Sequence, residues 1–126
     1  MLGESDVCAT IAVNDMDAAK KFYGETLGLE LTKEGKGGNF YKSGSGGIFV
    51  YESSFAGTNK ATYAAWEVSD VDSTAAALKE KGVIFEHYED MPGVTLEGDV
   101  HVMGSMKAVW FKDPSGNILN IVNGMG

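Results

Sequence analysis

The sequence predicts an α+β fold in which two βαβββ modules form paired, curved mixed sheets around a cleft. One observation is an internal repeat, because the segment from Val13 to Ala18 returns as the segment from Val68 to Ser73. Another is that each copy lies between an apolar strand pattern and a helical pattern. A solenoid would need at least three such units to bury its faces. We therefore expect a single domain over residues 1–126, with modules at about 5–53 and 61–126 and a linker at 54–60.

Elements of the first module follow from periodicity and from its glycines. Residues 7–13 alternate as a strand, and Asp15 is placed to cap a helix that runs to about Leu27. Gly28 then ends the helix in the left-handed conformation. Three strands are expected near 29–34, 39–43 and 47–53, separated by two glycine-rich hairpin turns.

The second module repeats this order. Asp70 is expected to cap a helix that ends before Gly82. Strands are expected at 62–68, 83–88, 100–112 and 117–123. The segment from Asp113 to Gly116 has the signature of a type I turn and joins the last two strands.

A long connection at 89–106 combines glycines and a proline with three methionines. It is longer than a hairpin needs, and such segments often serve as lids. Methionines are also flexible, apolar side chains that suit an interface. The sequence does not distinguish between two interpretations of this segment, a lid and a dimer contact.

Length and charge limit the classes of partner. A chain of 126 residues has the size of one ordinary domain, and its formal net charge of −8 repels nucleic-acid phosphates and anionic membranes. No segment resembles a signal peptide or a membrane span. The single cysteine, Cys8, forms no internal disulfide, although it could pair between subunits. We expect a cytoplasmic protein without a nucleic-acid or membrane partner.

Several short motifs together resemble the vicinal oxygen chelate superfamily. They are Ala12-Val13-Asn14-Asp15, Phe22-Tyr23, Leu27-Gly28-Leu29 and the segment from Trp110 to Asn117. This superfamily includes glyoxalase I, extradiol dioxygenases, fosfomycin-modifying enzymes and bleomycin-binding resistance proteins. The resemblance covers nearly the whole chain and implies the fold. It does not decide the activity, because one fold can host many functions.

In metal-using members of that superfamily, His and Glu side chains hold the ion. The matching positions in this chain are Cys8, Tyr63 and Asn120, and Glu52 is the only carboxylate near the fourth position. A phenol and an amide are poor ligands for such ions at neutral pH, and zinc generally needs at least three protein ligands. The resemblance therefore implies a site without a metal ion, and we expect no cofactor.

The cleft is expected to be lined by side chains that alternate away from the helices. The predicted ligand-binding residues are Cys8, Thr10, Phe49, Tyr51, Tyr63, Met103, Trp110 and Asn120. Strand register alone does not decide which way Phe49 and Tyr51 face. Cys8 is expected to be a small buried hydrophobe rather than a nucleophile. Tyr63 and Asn120 could instead satisfy each other's hydrogen bonds in a filled core.

These observations favour a homodimeric protein that binds a small apolar or aromatic molecule without a metal, as antibiotic-sequestering relatives do. No catalytic residue is predicted. One alternative is a metal-dependent lyase or dioxygenase that uses Glu52, His87 or His101, although both histidines are expected to be ordinary exposed side chains. A second alternative is a non-catalytic interaction domain whose cleft has collapsed.

Overall fold

A computed structural model describes residues 1–124, in which strands and helices follow the predicted order. The strands are β1 (Ala9–Val13), β2 (Glu30–Glu34), β3 (Asn39–Ser43), β4 (Gly46–Glu52), β5 (Thr62–Glu67), β6 (Phe85–Glu86), β7 (Thr95–Glu97), β8 (Val100–Met103), β9 (Met106–Lys112) and β10 (Ile118–Val122). The α-helices are α1 (Met16–Lys21) and α2 (Val71–Glu80). No helix in this part of the chain is long and apolar enough to cross a membrane.

The chain divides into two compact units. The first comprises Met1–Tyr63 with Asp113–Asn117, and the second comprises Ala64–Lys112 with the residues from Ile118 onward. Two mixed sheets, each with strands and a helix in the βαβββ order, confirm the predicted α+β class. The prediction of a single domain with a shared cleft stays a prediction.

The sheet of the first unit has the strand order β1-β4-β3-β2. β1 and β4 run parallel, whereas β3 runs antiparallel to both of its neighbours. Alternate side chains along a strand point to opposite faces. Ile11, Val50 and Tyr41 are fully buried on the face that α1 covers, where the Tyr23 ring lies 6.1 Å from the Tyr41 ring. The other face carries no helix of this unit.

Helix α1 begins where the sequence predicts. The Asp15 carboxylate accepts hydrogen bonds from the backbone N–H groups of Asp17 and Ala18, which are donors left open at a helix start. After Lys21 the helix continues as a π-helical turn, Phe22–Thr26. Gly28 follows with φ = 73°, the predicted left-handed end. The residue pattern does not predict the π turn, a feature that is frequent at functional sites.

The turn at 113–117 is part of the first unit, and a buried hydrogen-bond network holds it there. The Tyr23 hydroxyl donates to the Asp113 carboxylate at 2.7 Å. The same carboxylate accepts from the backbone N–H groups of Ser115 and Asn117, each at 2.9 Å. The Asn117 side-chain amide donates to the Ala12 carbonyl at 2.7 Å. The sequence predicts the turn itself but not these partners.

The sheet of the second unit has the strand order β5-β10-β9-β8-β7, and β6 pairs with β9. Phe111 and Leu119 are partners across β9 and β10, and both are fully buried. Trp110 and Asn120 form the next pair and point to the opposite face. The apolar side of α2 contributes Val71, Ala75 and Leu78 to the core. Asp70 caps α2 as predicted, because its carboxylate accepts from Ser73 N–H.

Three expectations for the second unit are wrong, and one of them is the strand at 100–112, which divides into β8 and β9 with a turn between them. The predicted strand at 83–88 is reduced to Phe85–Glu86. The predicted long connection at 89–106 contains β7 and β8, which pair as a hairpin. Gly98 and Gly104 have φ values of 64° and 60°. Gly98 and Gly104 are therefore turn residues, since left-handed φ is what tight turns require.

Candidate functional site

Aromatic side chains line the uncovered face of the first sheet. Thr10 on β1 lies beside Phe49 on β4, and Phe49 lies beside Phe40 on β3. The Phe49 and Tyr51 rings stack with centroids 6.2 Å apart and planes at 19°. Cross-strand partners share a face, so Phe49 and Tyr51 point away from α1 together with Thr10. This decides the orientation that the sequence left open.

A cavity of about 340 Å³ opens on the same face. It is lined by Lys33, Gly35, Gly37, Gly38, Phe40 and Phe49. Its volume falls within the range of about 300–1,000 Å³ that is usual for small-molecule sites. A Cβ atom at Gly38 would lie 2.7 Å from Phe49 Cζ. The glycine therefore allows the Phe49 ring to lie directly against the β2–β3 turn.

Cys8 differs from its prediction, because it is exposed rather than buried. Its thiol lies 3.5 Å from the Gly47 carbonyl and 3.3 Å from the Ala9 carbonyl, as a weak donor to both. Thr10, two positions later on β1, is exposed as well, so this side of the chain is open to solvent at both positions.

A second aromatic group lies in the sheet of the second unit. The His101 ring meets the Trp110 ring edge to face, with centroids 4.9 Å apart. Tyr88 completes the group, at 5.5 Å from Trp110 and 5.8 Å from His101. Beside Trp110, the Asn120 amide donates to the Val109 carbonyl at 3.1 Å. Met103 lies on β8 with 45% of its surface exposed.

His101 contradicts the expectation of an exposed histidine, because only 3% of it is exposed. Its Nε2 atom accepts a hydrogen bond from the Tyr88 backbone N–H at 2.9 Å, so the proton of the neutral ring resides on Nδ1. Burial lowers the pKa of His101, although the Ala108 carbonyl opposes this shift. Nδ1 nevertheless has no hydrogen-bond partner among the described residues. The apolar neighbours Val100 and Val102 were the sequence signal for a strand position.

The pKa of His101 predicts how stability depends on pH. In the unfolded chain this histidine takes up a proton near its usual pKa, while the folded protein keeps it neutral. The unfolded state then binds more protons, so the free energy of unfolding should fall as pH drops from about 7 to about 5. Urea denaturation across this range measures the slope. His101→Gln should flatten it. A slope that survives His101→Gln would contradict this assignment.

The predicted site residues divide between the two units. Cys8, Thr10, Phe49 and Tyr51 are in the first unit, with Tyr63 as the last residue of its longer segment. Met103, Trp110 and Asn120 are in the second unit. Strand register brings Thr10, Phe49 and Tyr51 together on one face. Sequence reasoning missed Phe40, Tyr88 and His101, which complete the two aromatic groups. That all eight residues line one cleft stays a prediction.

The donor groups at the family's metal positions do not fit a metal ion. Cys8, Tyr63 and Asn120 offer a thiol, a phenol and an amide, and neither imidazole nor carboxylate is among them. Glu52 is the β4 partner of Val13, so it points to the face opposite Thr10. Among residues 1–124, no three His, Cys, Asp or Glu side chains are grouped closely enough to hold an ion.

The two histidines proposed as alternative ligands already have partners. His87 Nε2 lies 2.8 Å from Asp99 Oδ1, and this hydrogen bond is the main cause of the lowered pKa of Asp99. His101 uses Nε2 to accept from Tyr88. A metal at either imidazole would have to replace one of these hydrogen bonds or use the other ring nitrogen.

Residues 6–121 match the family model described as the Glyoxalase/Bleomycin resistance protein/Dioxygenase superfamily. The chain belongs to this superfamily. The predicted resemblance to vicinal oxygen chelate proteins is thereby confirmed. No curated protein matches the sequence.

Three solved structures have a similar fold. A glyoxalase family protein from Enterococcus faecalis is 21% identical with a TM-score of 0.74, over 98% of this chain and 100% of that one. TnmS3, an antibiotic binding protein from Streptomyces sp. CB03234, is 21% identical with a TM-score of 0.64, over 95% and 97%. The fosfomycin resistance protein FosX from Listeria monocytogenes is 16% identical with a TM-score of 0.73, over 97% and 94%. At these identities the similarity establishes the fold alone.

Proposed function

We propose that this protein binds a small aromatic molecule without the help of a metal ion. The observation that carries the proposal is the cavity on the uncovered face of the first sheet, whose aromatic wall is formed by Phe40 and Phe49. Tyr51 extends that wall, because its ring stacks on Phe49. Aromatic rings bind one another through offset and edge contacts in addition to burying apolar area. An aromatic ligand would bury apolar area against these rings and also make offset or edge contacts with them.

Polar groups close to the aromatic side chains support a ligand with hydrogen-bonding atoms. Small-molecule sites usually combine an apolar wall with a few placed polar groups. Thr10 supplies a hydroxyl beside Phe49, and Lys33 supplies an ammonium group at the cavity. In the second unit, Asn120 supplies an amide beside the Trp110, Tyr88 and His101 rings. Cys8 and Tyr63 in the first unit, and Met103 in the second, remain proposed ligand contacts.

Sequestration of an antibiotic is the biological role we propose. TnmS3 is described as an antibiotic binding protein and FosX as a fosfomycin resistance protein, and both have this fold. We further propose that the protein acts in the cytoplasm as a homodimer. Light scattering on the purified protein tests for the homodimer, which would have twice the chain's mass of 13.4 kDa.

Phe49→Ala is the variant that tests the aromatic wall. A thermal-shift screen of aromatic antibiotics and metabolites should first identify compounds that raise Tm by mass action. Calorimetry should then show at least about tenfold weaker binding to Phe49→Ala, which corresponds to a loss of about 1.4 kcal/mol. The matched control is Phe55→Ala, because Phe55 is 74% exposed and does not line the cavity. No Tm shift across a broad panel, or equal losses in both variants, would refute the proposal.

Metal independence needs its own measurement. The family contains metalloenzymes, but the donors at the matching positions of this chain do not suit a metal ion. Elemental analysis of protein purified without chelators should therefore find no stoichiometric zinc, iron, manganese or nickel. One bound metal per chain would instead favour a lyase or dioxygenase.

A further inference from the structure

A positive charge lies at the cavity on the uncovered face of the first sheet, here called the aromatic cavity. Lys33 lines it together with Phe40, Phe49 and glycines of the turn between β2 and β3. Lys33 and Phe40 are cross-strand partners, so both side chains leave the sheet on the same face. Among residues 1–124, no acidic side chain lines this cavity. The charge in its lining is therefore positive, although the whole chain has a formal net charge of −8.

The acidic residues of β2 do not cancel this charge. Glu34 follows Lys33 in the strand and therefore points to the opposite face of the sheet. On that face its carboxylate accepts a hydrogen bond from Lys20 Nζ at 3.0 Å. Glu30 is the cross-strand partner of Lys42, and opposite charges in facing positions offset each other. Each glutamate of the strand thus has a lysine partner other than Lys33.

The turn between β2 and β3 adds to the positive charge. Lys36 lies between Gly35 and Gly37, which both line the aromatic cavity. Exposed charges more than about 8 Å away are largely screened at physiological ionic strength. Lysines at the cavity therefore have more influence on a bound ligand than the net charge of the chain has.

The two phenylalanine rings of the cavity lean apart. A Cβ atom at Gly47 would lie 2.5 Å from Phe40 Cζ, and one at Gly38 would lie 2.7 Å from Phe49 Cζ, so each ring lies across a glycine. Gly38 comes just before β3, whereas Gly47 pairs with Lys42 near the end of β3. The rings therefore lean in opposite directions along the paired strands. A flat ligand in the cavity can contact both of them.

The lysine ammonium decides which charge such a ligand can carry. Aromatic faces also attract cations, but a cation here would meet Lys33 and, among the described residues, no acidic partner in the lining. Lysine packs its aliphatic stem along apolar surface and keeps its ammonium in water. Lys33 is exposed, so its ammonium lies at the mouth of the cavity. A carboxylate at the mouth would pair with it and stay partly hydrated, which avoids the large cost of burying an ion pair.

We propose that the ligand of the aromatic cavity is an aromatic carboxylate, with its ring against Phe40 and Phe49 and its carboxylate at Lys33. This inference rests on the proposed function, because it concerns the same cavity, and it adds a charge to the ligand. Lys33 then determines the specificity for anionic over neutral and cationic aromatic compounds. An ion pair open to solvent is weak, so the expected preference over a neutral compound is about threefold to fivefold.

Three probes of similar shape test the charge in titrations followed by protein NMR at pH 7. The probes are 1-naphthoate, its neutral match 1-naphthamide, and the cation 1-naphthylmethylammonium. The naphthoate should bind about threefold to fivefold more tightly than the neutral probe, and the cation should bind most weakly. An anion that binds no more tightly than the neutral probe would overturn this proposal and leave the aromatic site intact. If no probe binds, this proposal also fails, and the proposed function fails with it only if the broader thermal-shift panel is negative too.

Lys33→Met tests the residue itself. Methionine keeps a flexible apolar side chain but removes the ammonium, so this variant should bind the naphthoate about threefold to fivefold more weakly and the neutral probe equally well. Phe49→Ala should weaken the binding of both probes. The matched control is Lys21→Met, which removes the same charge from α1, outside the lining of the aromatic cavity, and should change neither affinity. A preference for the anion that survives Lys33→Met, or that is lost equally in Lys21→Met, would refute the role of Lys33.

Discussion

Replacing Asp113 by alanine is expected to lower the free energy of unfolding by about 3–5 kcal/mol. The carboxylate is buried and accepts hydrogen bonds from the Tyr23 hydroxyl and from the backbone N–H groups of Ser115 and Asn117. It also accepts one from the Asn117 amide at 2.8 Å. Removing it leaves all of these donors unpaired inside the protein, and each unpaired donor carries a desolvation cost. Urea denaturation measures the change.

Two controls separate this network from a general effect of removing a carboxylate. Asp90→Ala changes an exposed aspartate and should alter the free energy of unfolding by less than about 0.5 kcal/mol. Tyr23→Phe removes a single donor to a charged group and should cost about 1.5–3 kcal/mol. An Asp113→Ala variant that is no less stable than Asp90→Ala would show that the network does not stabilise the fold.

The order of the elements could be read from the sequence because local signals decided it. Asp15 and Asp70 precede apolar periodic segments, and both cap helices in the structure. Gly28 and Gly82 follow those segments, and both have left-handed φ. These are interactions between residues close in the chain, so spacing alone reveals them.

What the sequence did not reveal depends on partners far apart in the chain. The faces of Phe49 and Tyr51 follow from the pairing of β4 with β1 and β3, which spacing alone did not decide. The burial of His101 depends on Tyr88 and Trp110, which contribute rings from outside its strand. The partners of Asp113 in the first unit could not be anticipated either, since Tyr23 lies 90 positions away.

The candidate site shows the same contrast between local features, which the sequence reveals, and features that depend on residues far apart in the chain. The absence of His and Glu at positions 8, 63 and 120 could be read directly by counting from the motifs. The cavity beside Phe49 could not, because its lining comes from β2, β3 and β4 and from the turn between β2 and β3. Gly38 allows the close approach of Phe49. A glycine in a sequence suggests a turn before it suggests a cavity wall.

Gly57→Ala is expected to cost about 2–4 kcal/mol of unfolding free energy. Gly57 has φ = 71°, and its N–H donates to the Asn117 side-chain oxygen at 3.1 Å. An added Cβ would overlap the Ser115 carbonyl oxygen, which is backbone and cannot turn aside as a flexible side chain would. The 113–117 turn would have to move, and its hydrogen bonds to Gly57 and Ala12 would lengthen. Thermal and urea denaturation measure the loss.

Gly28→Ala is the matched control for this clash. Gly28 has nearly the same φ, 73°, but a Cβ there would meet no other atom within 4 Å. Its substitution therefore carries only the backbone strain of a left-handed alanine, about 1–2 kcal/mol. The difference between the two variants isolates the contact between Gly57 and the turn. Equal losses of unfolding free energy in the two variants would mean that the 113–117 turn can move at no free-energy cost. The Asp113 network would then be less rigid than its hydrogen bonds imply.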